Sequence, residues 1–517
     1  MSQASTPRAL PERPHLDHLR RQARELLRAW RAGQPDALAR AAPWALNATA
    51  PQLSLAQLVI ARELGWPSWA QLVHEVERRQ AAALSDAAFT ERVLALAWGR
   101  GWDAPQPERA LALLNSRPQA GGLLLALVQG DLPAVQQALA GRDLHTPLAP
   151  WQTPPLAAVA FSSLARLDSH RPGLLATLQW LLDQGADPNS ALVDPDPHAD
   201  THPLPALYGA IARAACLPMV QALLQAGAQP NDGESLYHAT EQADLGFVAA
   251  LVAAGARWPG TNALLRLLDQ APLPALHQAL ALGADPNERG PGGQAALHHA
   301  LLRGRPAVFV QALLDHGADP RHTDDAGHDA AWFARRAGDV ATLALLQARG
   351  AASPVDAHQA FLAACAAGDE AAARAHLAQH PQALAECSEE DLRLLPDQAQ
   401  RGHAASVRLM LALGWPVAVR GDWDASALNQ AAFRGDAALV ALLIAHGARW
   451  DEPNGFGGDA LGSCLHAACN GLAPDGDHAA VLAQLLAQGA PAPEDDDDLP
   501  PALQAVLAEA MAPSRSA

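Results

Sequence analysis

Residues 283–320 read GADPNERGPGGQAALHHALLRGRPAVFVQALLDHGADP, a stretch that opens and closes on the same Gly-Ala-Asp-Pro phrase. Between the two phrases lie a Gly- and Pro-rich turn, a short Ala-rich run and a longer apolar run ending DHG. A Gly just past the last turn of a helix can adopt the left-handed conformation that satisfies its loose carbonyls, so each Gly reads as a helix stop. Small residues in the first run let a second helix approach closely. The stretch predicts turn, helix, turn, helix and loop. Such a unit cannot bury its apolar face alone and needs stacked neighbours.

The closing phrase recurs with glycines at 185, 227, 255, 283, 317, 350, 414, 447 and 489, at spacings of 42, 28, 28, 34, 33, 64, 33 and 42. The 64-residue gap is two periods, with AAGDEAAARAHLAQHPQAL in its middle. About twelve residues before a stop stands a second mark, as in Gly130-Asp131, Gly338-Asp339, Gly368-Asp369, Gly402-His403 and Gly435-Asp436. These mark the turn between two short antiparallel helices.

The unit at 283–320 resembles the ankyrin repeat. Gln294-Ala295-Ala296-Leu297-His298, after Gly293, matches the family's Gly-x-Thr-Pro-Leu-His stretch, and Asp324 and Gly327 supply the Asp-x-x-Gly of the following turn. The resemblance covers about 120–492 in about eleven units, several of them degenerate. It implies an all-α fold, an ankyrin-repeat solenoid of stacked helix-turn-helix units with helical caps. Residues 87–119 read as a further worn helix pair. In 14–86, LDHLRRQARELLRAWRAG places Leu16, Leu19, Ala23, Leu26, Leu27 and Trp30 on one face, and Ser68 caps a later helix. This segment resembles the helices that precede the repeats in bacterial ankyrin proteins and implies a cover for the first repeat. Residues 1–13 read as a disordered N-terminus. At 493–517 the acidic run Glu494–Asp498 leads into a closing helix, LPPALQAVLAEAMA.

The chain has 517 residues, too many for one core, and is 50% hydrophobic but only 4% aromatic. All its basic residues are Arg, and the formal charge is −18. That charge argues against nucleic acid and anionic membranes as partners and for a protein partner with a basic patch. No apolar stretch reaches the roughly 18 residues a membrane span needs. Five scattered cysteines argue against a disulfide framework. The reading is a monomer in a bacterial cytoplasm, with no cofactor.

Two segments tempt a metal reading. GSCLHAACNG holds Cys464, His466 and Cys469, and HADTH holds His198, Asp200 and His202. The resemblance implies that the first lies on the repeat register. His466 would then bond the turn backbone of a neighbour, and Cys469 would fill a small buried position. The second lies within the excess of a 42-residue spacing and reads as an inserted loop, as does 470–477. Nucleotide-binding and nucleophile-elbow motifs are absent from the sequence, and His298 and His299 point about 100° apart on a helix.

What remains is recognition. In the family the turn tips and inner helices contact partners, and aromatic and Arg side chains are the usual anchors. On predicted tips stand Trp151, then His322, Asp324, Asp325 and His328, then Arg420, Asp422 and Trp423, and finally Phe456. Trp258 and Trp450 follow Gly-Ala-Arg and are expected to pack between repeats. The function expected is a non-catalytic scaffold for protein–protein interaction. The alternatives are a metal-dependent hydrolase using His198, Asp200 and His202, or a structural assembly subunit.

Overall fold

All nine stop glycines have positive φ, from 88° at Gly185 to 99° at Gly255, and each lies just beyond an apolar helix. In the computed structural model, residues 10–11, 14–44, 53–100, 103–193, 202–351, 355–493 and 499–510 are described. They form two units, 1–285 and 286–517. Each is a stack of short helix pairs. The only strands among the described residues are Ala191–Leu192 and Leu204–Pro205, an antiparallel pair at the base of the 190–203 insertion. The fold is all-α, as the repeat predicts.

Among the described residues, the first unit carries five such pairs from residue 123 on, after the pair Asp86–Trp98 with Pro107–Ser116. One is Leu123–Gln129 with Leu132–Leu139; another is Ala263–Gln270 with Leu273–Ala281. Among its described residues the second carries six, from Ala296–Leu302 with Ala307–Asp315 to Ala460–Asn470 with His478–Ala487. The Gly-Asp marks divide their labour at the intervening turn. Gly435 ends Ala427–Arg434 in the left-handed conformation, and Asp436 then caps Ala437–Ala445 by accepting the Leu439 N–H at 2.9 Å. Asp131, Asp339, Asp369 and Asp477 cap their helices in the same way.

Three repeats keep an Asn in the Gly-Ala-x-Pro-Asn phrase, and each of these bonds the loop of the following repeat. Asn287 accepts from the Asp319 N–H at 2.7 Å and donates to the Gly317 carbonyl at 2.8 Å. Asn231 treats Arg257 and Gly255 identically, at 2.8 and 3.0 Å, and Asn189 treats Gln229 and Gly227 so, at 2.8 and 3.4 Å. One side chain thereby satisfies two backbone groups of the following loop, which sets the repeat-to-repeat register.

The N-terminal helices have a core of their own, in which Leu19, Ala23, Leu26, Leu27 and Trp30 pack on Val59, Ile60, Leu72 and Val76. Ser68 caps its helix by accepting the Gln71 N–H. Beside this core, Arg78 and Arg79 both grip the Glu75 carboxylate and hold its pKa down to about 2. At the other end, Leu503 and Leu507 of helix Pro501–Ala510 join the same core as Val481, Leu482 and Leu485. The acidic run 494–498 lies outside the described residues.

Candidate recognition surface

Two adjacent turn tips of the second unit present aromatic rings to solvent. Trp423 is 51% exposed and Phe456 is 82% exposed. The tips are fastened to each other: the Gly455 N–H donates to the Trp423 carbonyl at 2.7 Å, and Arg420 Nη1 donates to the Pro453 carbonyl at 2.6 Å. Trp423 sits at φ 57°, in the left-handed region where a residue with a Cβ is disfavoured by about 1–2 kcal/mol. Bonds from Gly421 N to Ala425 O and from Ala425 N to Asp422 O close the turn around it. The backbone that carries the indole is therefore held in place. Exposed Asp422 and Asp424 flank Trp423. Asn454 holds the second tip by accepting from the N–H groups of Phe456 and Gly458, at 3.0 and 3.1 Å. The structure thus brings Arg420, Asp422, Trp423 and Phe456 together, and Arg420 acts as the clasp.

The tip at 322–328 is largely occupied by its own structure. Asp324 is buried, and its Oδ1 accepts from the Ala326 and His328 N–H groups at 3.0 and 2.8 Å. The His322 carbonyl accepts from His298 Nε2 at 2.9 Å. Asp325 pairs with Arg289 at 2.8 Å, and His328 stacks on Trp332 with ring centroids 3.7 Å apart. In the first unit Trp151 packs against Trp98 at 5.7 Å with the Arg100 guanidinium over its ring. Trp151 is an internal brace there, half-buried by local partners. Trp258 is buried and donates from Nε1 to the Leu282 carbonyl, which is the between-repeat packing expected of it. Trp450 is partly buried against the second unit's core.

The register expected for GSCLHAACNG needs correction. Helix Ala460–Asn470 starts four residues earlier than that phrase suggests, because Asp459 caps it by accepting the Gly462 N–H at 2.8 Å. His466 consequently faces solvent beside Asn470, and Cys469 is exposed rather than buried. Cys464 is buried, with its thiol pushed up to about 12 by desolvation. The extra residues lengthen the inner helix at its C-terminal end. In the other segment His202 is exposed, while His198 and Asp200 lie outside the described residues.

Two arrangements carry no sequence signal. Arg401 donates to the Leu301 and Leu302 carbonyls at 3.0 and 3.3 Å, closing the end of a helix a hundred residues away in sequence. Next to it Gln398 holds the Arg336 carbonyl at 2.8 Å, and burial pushes the Asp397 carboxyl up despite the Arg336 guanidinium at 3.5 Å. The other arrangement gathers one ligand atom each from His358, Cys387 and Asp391 within 4.8 Å of one another. Their separations in sequence fit no metal motif.

Neither a family model nor a curated protein matches the chain. Among solved structures it is similar to the human ASB11 ankyrin repeat domain, with 24% identity, 44% of this chain and 99% of that one covered, and a TM-score of 0.22. It is also similar to the ankyrin repeat domain of Bcl-3, of the IkappaB protein family, with 23% identity, 40% and 94% covered, and a TM-score of 0.19. The fold assigned above stands on the chain's own helix pairs, glycines and Asn clamps. Among the described residues no helix is long and apolar enough to cross a membrane.

Proposed function

We propose that the chain is a non-catalytic ankyrin-repeat scaffold of a bacterial cytoplasm, which binds a protein partner through the tips carrying Trp423 and Phe456. One observation carries the reading: two large aromatic side chains stand exposed on neighbouring tips that hydrogen bonds hold rigid. Single exposed apolar residues are ordinary, but two aromatic rings on neighbouring, backbone-fastened tips are the kind of anchor that buries large area with few rotamers to freeze. Exposed Asp422 and Asp424 beside Trp423 and the chain's charge of −18 favour a partner whose basic side chains lay their aliphatic stems on the rings. His322, Asp324, Asp325 and His328 would serve this surface chiefly by shaping a turn.

Panning a displayed peptide library on the native chain tests the reading. The expected ligands combine Arg or Lys with apolar residues, and their affinity falls as salt is raised. A selection that yields acidic ligands, or none, would count against it.

A further inference from the structure

We propose that His358, Cys387 and Asp391 form a mononuclear site for a zinc-class divalent cation, which fastens the loop before helix Glu389–Leu392 to the start of helix Ala357–Ala367. The three side chains come from separate places. His358 lies in the first turn of its helix, Cys387 immediately precedes the N-cap Ser388, and Asp391 is the third residue of the next helix. Stacking of helix pairs brings His358 Nε2 to 3.1 Å from Asp391 Oδ2, with one ligand atom of all three within 4.8 Å.

One imidazole nitrogen, one sulfur and one carboxylate oxygen make a donor set suited to zinc and its neighbours, and unsuited to calcium or magnesium. Zinc bonds of about 2.0–2.3 Å place tetrahedral ligands roughly 3.5 Å apart. The His–Asp pair is already near that separation, so only the Cys387 side chain must swing inward. Its thiol now donates weakly to the Ala383 carbonyl at 3.4 Å, one turn back. Binding breaks that bond and the His358–Asp391 hydrogen bond: the cation takes the thiolate, the thiol proton passes to solvent, and the imidazole proton moves from Nε2 to Nδ1 so that Nε2 can ligate. The carboxylate is pre-oriented. Asp391 Oδ2 accepts from the Ser388 N–H at 2.9 Å and from its hydroxyl at 2.7 Å, the support that metal-ligating carboxylates require. Glu389 and Glu390 add negative charge in the same turn. All three ligands are partly exposed, which gives an ion a way in and leaves a fourth position for water.

The test uses the full chain, reduced and stripped with a chelator, and Co²⁺ or Zn²⁺ alone as the probe. One equivalent of Co²⁺ should produce a thiolate-to-metal charge-transfer band that Zn²⁺ abolishes. Cys387→Ser should remove the band, and His358→Ala or Asp391→Asn should weaken binding by more than about a hundredfold. Ser388→Ala, a positioning change, should weaken it about tenfold while keeping the band. Cys469→Ser, at an exposed thiol elsewhere, should change nothing, and metal-free variants should melt as cooperatively as the native chain. Absence of a band, a band that survives Cys387→Ser, or one that follows Cys469 would overturn the proposal and leave a plain His–Asp ion pair.

Discussion

His298 shows how one side chain joins neighbouring repeats. Its ring is buried; Nδ1 accepts from the Ala295 N–H at 3.0 Å, so the neutral tautomer carries its proton on Nε2 and donates to the His322 carbonyl. Burial is the main cause that lowers its pKa below the usual 6.5. The unfolded chain therefore takes up a proton, as pH drops below about 6.5, that the folded chain refuses. The stabilisation is complete above that pH and declines below it. Denaturant titrations from pH 8 to 5 should show this decline in the native chain and a flatter profile in His298→Ala. The variant should also lose roughly 2–4 kcal/mol at pH 8, through the cavity and two stranded backbone groups. This histidine was legible because it sits in an intact repeat phrase. His466 was misread for the converse reason: the same letters recur one turn further along a helix whose start Asp459 sets.

At the scale of the element, two glycines that each follow a helix, one at the inner turn and one at the stop, differ in what surrounds them. A Cβ on Gly447 meets nothing within 4 Å, so Gly447→Ala costs only the conformational penalty, about 1–2 kcal/mol. A Cβ on Gly435 would lie 2.7 Å from the Gly476 Cα and 2.9 Å from the Asp477 N, where the next inner turn closes on it. Gly435→Ala should cost at least about 1 kcal/mol more than Gly447→Ala, measured by urea denaturation of both. Asn287→Ala, which removes two exposed clamping bonds, should cost about 1 kcal/mol in the same assay. Helix stops, caps and pairs were readable because left-handed turns and N-caps demand particular residue types. The inward ends of the helices were not. Arg401 reaching Leu301, or Cys387 meeting His358, depends on how the repeats stack, and no local rule encodes that.

Across the whole molecule, the 54 acidic residues outnumber the 36 basic ones, and many of the Arg side chains are engaged internally, as Arg78, Arg79, Arg336 and Arg401 are. The field a partner meets is accordingly negative. Association with a basic ligand should slow at least about tenfold between low and high ionic strength, read by stopped-flow fluorescence; a rate indifferent to salt would contradict that electrostatic picture. The array was legible from nine glycines, whereas the exposure of Trp423 and Phe456 became distinguishable from the packing of Trp151 only in three dimensions. The central claim is that the two coupled tips are where partners bind. Affinities of one selected ligand for the native chain and for a Trp423→Ser, Phe456→Ser double variant, compared at matched thermal stability, test it most directly. The account predicts a loss of about a hundredfold or more, as expected of two aromatic anchors. Equal affinity for both proteins would contradict it.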